Sequence, residues 1–314
     1  MIEAVRGQLG TLRSWRLFQG VVLIGVGLLS FLTWENHVSF DIETQVVAGL
    51  HATINDLVGP NGQPASRQDK AQYEEQLRRL TGGLAQAREE IQLGGAADVA
   101  AGELSTLPGL IIAMLLGAGF AAMEANGPRR TLLLARAGRT RLGVSLVLAL
   151  GCVALAFALG GLIVVLIGNL FFSWLYHRPA GDLAVLLSGS SISAIGAAAL
   201  ALWVWQLLGV LGATLTRSAL GGLLAAGAYV GVDMITAQHA PALSRILLTP
   251  NIWVMAQAAS QTPAFSSELV PRIWLEQWNV FRPFPTTVAV LIVLAFGLVT
   301  TSLFVFLSKK EAVQ

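Results

Sequence analysis

The sequence predicts an all-α membrane protein: six transmembrane helices, an N-terminal interfacial helix, and a helical extracytoplasmic loop between spans 1 and 2. Three observations predict it. Hydrophobic residues fill 54% of the 314 positions and charged residues only 12%, where soluble domains carry about 25% charged residues. The apolar residues come in blocks of about 20, enough to cross a hydrocarbon core of about 30 Å at about 1.5 Å per residue. The basic residues collect at the ends of alternate blocks, as they do in a chain with a fixed orientation in the membrane.

Mean hydropathy is +0.67. The single cysteine, Cys152, lies inside an apolar block. A disulfide within the chain is therefore excluded, and Cys152 reads as a small residue facing lipid or a neighbouring helix. Arginine far outnumbers lysine, and Ala, Gly and Leu dominate, which suggests a GC-rich bacterial genome and hence a bacterial plasma (inner) membrane.

In residues 2–16, Ile2, Val5, Leu9, Leu12 and Trp15 recur at helical spacing, with Arg6, Arg13 and Arg16 off that stripe. This predicts a short basic amphipathic helix lying in the inner interface. The first span is expected over 17–33, between Trp15 and Trp34. No small-x-small cleavage site follows Ser30, so the span reads as retained rather than as a cleaved leader.

Residues 35–104 form the long polar segment, expected outside the membrane. Within it Tyr73, Leu77, Leu80, Leu84 and Ile91 have helical spacing, Gly82–Gly83 is a point where that helix can break, and Gly59–Pro60–Asn61–Gly62 marks a turn. The reading is a helical hairpin projecting from the bilayer. Further spans are expected over 107–123, 142–175, 183–215, 219–235 and 286–307. The blocks 142–175 and 183–215 exceed one span's need and either tilt or break at a glycine such as Gly160 or Gly161. The whole chain, 1–314, then forms one transmembrane domain with the loop 35–104 inside it.

With the N-terminus inside, the cytoplasmic side holds 11 basic residues and three acids, and the outer side 9 basic residues and 15 acids. An even number of spans with both termini cytoplasmic follows from that imbalance.

Catalytic constellations are not visible. The only lysines, Lys70, Lys309 and Lys310, lack the glycine-rich context of a phosphate-binding loop, so the chain is not expected to hydrolyse ATP or to be an enzyme by itself. Ser188–Gly189–Ser190–Ser191 reads as small-residue packing. His37, His51, His177 and His239 fall on the outer side without metal-ligand spacing. Asp233 is the one acid expected within a span, near its outer end, where it can reach water. Small residues such as Ala194, Ala197, Ala198 and Ala201, Gly221–Gly222 and the GxxxG pair Gly227 and Gly231 favour close helix packing. Nothing points to a nucleic acid, a cofactor or a metal in this chain.

The informative segment is 124–141. Thr131 to Leu134, with Leu132 and Leu133 at its centre, supply a helical apolar patch, bracketed by Arg129 and Arg130 and by Arg136, Arg139 and Arg141, with Glu124 and Gly127 before it. A short basic helix between two spans at the cytoplasmic face can dock on a soluble partner, and an ordinary basic loop would obey the same charge rule.

On these residues the chain resembles the membrane subunit of an ATP-binding-cassette transporter of the ABC type-2 exporter family. That family has an interfacial helix, six spans, and an elbow after the second span. Glu124, Gly127, Leu132, Leu133 and Arg139 match the elbow, whereas Pro128 replaces the usual Thr and Arg136 stands where Pro is common. The loop 35–104 is longer than in the simplest members and is similar to that of members serving copper-enzyme maturation or antibiotic export. The resemblance implies an exporter permease coupled to a separate ATPase subunit that holds ATP and Mg. It also implies a second permease copy or a homologous permease, and membrane lipid as surroundings. The rival reading is a non-transporting sensor or assembly factor whose outer loop binds a partner.

Overall fold

In a computed structural model, the structure describes Val5 and residues 16–55, 67–126, 139–259 and 285–310. Among them every regular element is a helix. In chain order the α-helices are α1 (Arg16–Asn55), α2 (Arg67–Glu90), α3 (Ala96–Ser105), α4 (Leu107–Asn126) and α5 (Arg139–Leu175). They continue with α6 (Gly189–Thr216), α7 (Ala219–His239), α8 (Pro241–Ser244), α9 (Leu248–Ala259) and α10 (Thr286–Lys310). Among the described residues four helices are long and apolar enough to cross a membrane, Phe18–Ala52, Gly143–Leu175, Gly189–Thr216 and Thr286–Leu307. A bent pair, Leu93–Ser105 with Gly109–Ala121, makes up to five. The chain is an all-α, multi-pass membrane protein. The expected interfacial helix 2–16 lies almost wholly outside the described residues.

α1 does not stop at Thr33. It runs on to Asn55, 40 residues in all, about 60 Å at about 1.5 Å per residue and twice the hydrocarbon thickness. Nothing breaks it: the polar residues from Glu35 onward are compatible with helix, and no proline intervenes. α2 is likewise continuous through Gly82–Gly83. Tyr73, Leu77 and Leu84 are among its half-buried positions, and the helix packs back against α1. The expected turn at 59–62 lies outside the described residues.

The end of the polar segment differs most from expectation. α3 is not a solvated loop: Ala96, Ala97, Ala100, Ala101 and Leu104 are buried in the main core, and they share it with Ala194, Ala197, Ala198 and Ala201 of α6. Alanines on both helices let the backbones approach closely. The chain then bends by 60° into α4. Thr106 leaves the helix in an extended conformation, and both its backbone N–H and its hydroxyl bond to the Glu103 carbonyl. Pro108, at the second position of α4, has no N–H with which to carry a helix through.

α5 is one unbroken helix through Gly160 and Gly161. α1 and α5 run parallel, because their contacts advance together: Phe18 with Phe157, Thr33 beside Gly168, His37 with Asn169, and Arg178 just beyond α5 with Asp41. A returning helix must join two parallel neighbours, and α3–α4 supplies it.

α6 crosses α4 at glycines. A Cβ on Gly117 would collide with the Gln206 backbone, and one on Gly209 would meet the Met114 carbonyl at 2.6 Å. Trp203 Nε1 donates to the Val147 carbonyl at 3.1 Å, tying α6 to α5. Ser188 caps α6, its side chain accepting the Ser191 N–H, so the serine cluster serves helix initiation rather than packing. Gly196, Gly227 and Gly231 face open space. The GxxxG pair therefore makes no close contact within the described chain.

Candidate functional site

The helix ends define one face of the bundle. Phe120 and Ala121 near the end of α4, Leu146 and Val147 near the start of α5, Ala213 near the end of α6 and Phe304 near the end of α10 share one apolar cluster. Val305 and Phe304 also approach Gly143. Hence Arg139 and Arg141 in the first turn of α5, Arg217 at the C-cap of α6 and Lys309–Lys310 at the end of α10 all belong to the same end of the bundle. Arg217 takes the left-handed conformation (φ 54°), which ends α6 and turns the chain into α7. Ser218 caps α7 by accepting the Gly221 N–H. Arg217 sits at a helix C-terminus, where the helix dipole favours a cation.

The two ends of the sequence-predicted segment lie at this face. Glu124 lies in the last turn of α4. Gly127, Arg129, Arg130, Leu132, Leu133 and Arg136 lie outside the described residues, and Arg139 and Arg141 open α5. The structure thus places both stems of the segment at the basic end.

The bundle also holds polar groups that sequence reasoning placed elsewhere. Asp233 does not reach water. It is fully buried, and its Oδ2 accepts the Thr249 N–H at 3.1 Å, while Tyr229 Oη accepts the Leu248 N–H at 3.1 Å. The third residue of α9 is Pro250, which has no N–H. All three leading positions of α9 are therefore accounted for. The correction has a simple cause: after His239 the chain turns back, and α9 covers the side of α7 that carries Asp233.

At the far end, Arg178 sits over the rings of Phe40 and Tyr176, at 4.8 and 4.9 Å from their centroids. It pairs with Asp41 and approaches His37 Nδ1 at 3.4 Å. His37 is fully buried and meets Asn169 Oδ1 at 3.3 Å. Asn169 Nδ2 donates to the carbonyls of Glu90 and Gln92, at 3.2 and 3.1 Å. This network joins α1, α5, the end of α2 and the turn after α5. Sequence reasoning missed it because its members lie far apart in the chain. Among the described residues no three His, Cys, Asp or Glu side chains gather to hold a metal ion.

No family model, no curated protein and no solved structure matches this chain.

Proposed function

We propose that the chain is the transmembrane subunit of an ATP-binding-cassette exporter. It forms the substrate path and couples to a separate ATPase through the segment 124–141. It crosses the bacterial plasma membrane six times with both termini cytoplasmic, and α7 and the bent pair α3–α4 count among the spans. Two copies, or this chain with a homologous permease, complete the path, and ATP and Mg are held by the partner. The observation that supports this is the gathering of Arg139, Arg141, Arg217, Lys309 and Lys310 at one end of the bundle, around the stems of a basic loop that carries Leu132 and Leu133. A face of that charge belongs inside, and an apolar patch with a charged rim is what a docking surface needs.

Two measurements test the reading. In a Cys152→Ser background, single cysteines at Gln86 and Gln261 should react from outside intact cells and one at Gln314 should not. Outside labelling at Gln314 would sink the topology. Affinity purification from the native membrane should then bring down a nucleotide-binding subunit whose ATPase activity rises in the complex. Recovery of the chain with no ATPase would leave the rival, in which the exposed α1–α2 hairpin binds a partner.

A further inference from the structure

A cavity of about 300 Å³ lies between α1, the α3–α4 bend and α5, at the lower end of the range of small-molecule sites, about 300–1,000 Å³. Fifteen of its sixteen lining residues are apolar or glycine, and the exception is Glu103. Phe18 and Leu29 both line it and are about 16 Å apart along α1 at about 1.5 Å per residue, so the space is an elongated slot. At one end the rings of Phe18 and Phe157 meet edge to face at 6.0 Å. At the other, Leu29 and Leu104 close around Gly161 beside Glu103. Val26 and Ile163, also lining, are 41% and 54% exposed on the outer surface of the bundle, so the slot opens sideways to the bilayer.

Glu103 is out of place there. Its Oε2 is buried without a hydrogen-bond partner. The charged groups that act on it are two further acids, Glu35 and Glu90, and among the described residues no basic side chain pairs with it. An unpaired carboxylate in an apolar setting is costly, and within a membrane such a group is a functional site by default.

We propose that this cavity binds a membrane-partitioned cationic amphiphile, with its alkyl or aryl body in the slot and its ammonium head against Glu103. The cation supplies the charge that the surrounding acids cannot, and the Phe18 and Phe157 rings complement an apolar body. A bilayer phospholipid fits poorly: its phosphate would sit beside the same acids. The site stands on one chain's geometry and does not depend on an ATPase partner.

The test is equilibrium binding of radiolabelled dodecyltrimethylammonium to the full-length protein in phosphatidylcholine nanodiscs, corrected for empty discs. The comparison ligand is its uncharged isostere, with carbon in place of nitrogen. One saturable site per chain is expected, with the cation bound at least about tenfold more tightly than the isostere. Glu103→Gln should bring the cation down to the level of the isostere and leave the isostere unchanged. Gly160→Leu projects into open space, since a Cβ there meets nothing within 4 Å, and should abolish both by filling the slot. Equal affinity for cation and isostere would mean a lipid-filled apolar groove and would overturn the proposal. So would undiminished cation binding in either variant. If Glu103→Gln failed to insert, the wild-type comparison and Gly160→Leu would still decide.

Discussion

Asp233, on the helix that ends at His239, holds the first turn of the next long helix through the Thr249 N–H at 3.1 Å. The bond fixes how far the chain folds back after α7, and so where α9 enters the core. Leu248 and Ile252 of α9 are fully buried there.

Asp233→Ala should therefore destabilise the protein by roughly the value of a lost helix cap, about 0.5–2 kcal/mol, and loosen α9. Asp233→Asn, which keeps an acceptor oxygen, should lose less. The check is the thermal midpoint in detergent together with hydrogen exchange of residues 248–256. Full protection of α9 in the alanine variant would refute the capping role.

Asn169 is the hub of the opposite network. Asn169→Leu would remove the donor to the carbonyls of Glu90 and Gln92 and the partner of His37 Nε2, and a buried polar group left unpaired costs about 1–3 kcal/mol. The turn 91–95 should come free of α5 first, and limited proteolysis should cut there in the variant but not in the wild type. Equal resistance in both would show that the network contributes nothing to the docking of α2–α3.

Gly117 and Gly209 set the distance between α4 and α6. Gly117→Val has no flexible neighbour to displace, only the Gln206 backbone, so the helices must separate. Overpacking of this kind costs about 1–3 kcal/mol or more. The variant should insert in the membrane and elute as an aggregated or broadened species. Gly196→Val, on the same helix bundle but facing open space, should behave as wild type. A normal profile for Gly117→Val would show that the crossing is not this close.

The helical character and the membrane class were legible because they rest on local signals: long apolar blocks, and the period of Tyr73, Leu77 and Leu84. What was not legible depends on partners distant in sequence. Ala96, Ala97, Ala100 and Ala101 carry little hydropathy, and residues of α5, α6 and α9, far along the chain, make them core. That is why Glu103 was counted with a solvated loop. Gly161 read as a possible break, yet it serves as the seat for Leu29 and Leu104. Asp233 read as water-facing because nothing local announces that Thr249 will return to it. Of the segment 124–141, the structure bears on its stems alone, and the apolar patch remains a reading of the sequence.

That patch gives the last prediction. The chain has no phosphate-binding loop, so in the proposed exporter energy enters through the basic end. The turn Arg217–Ser218 offers only two residues between α6 and α7, too few to seat a partner. Residues 127–138 are the longer connection at that end, with Leu132 and Leu133 as anchors and Arg129, Arg130 and Arg136 as rim. Loss of a central anchor commonly costs about 2 kcal/mol or more of binding, whereas a rim charge mainly alters association rate and salt dependence. Leu133→Asp should release the ATPase while the permease still inserts, and Arg130→Ala should weaken the complex mildly and more so at high salt. A pull-down of the partner with each variant, with membrane insertion checked in parallel, separates the two. Full partner binding and full stimulated ATPase activity in Leu133→Asp would mean that 124–141 is an ordinary basic loop, and the docking surface would have to be sought elsewhere.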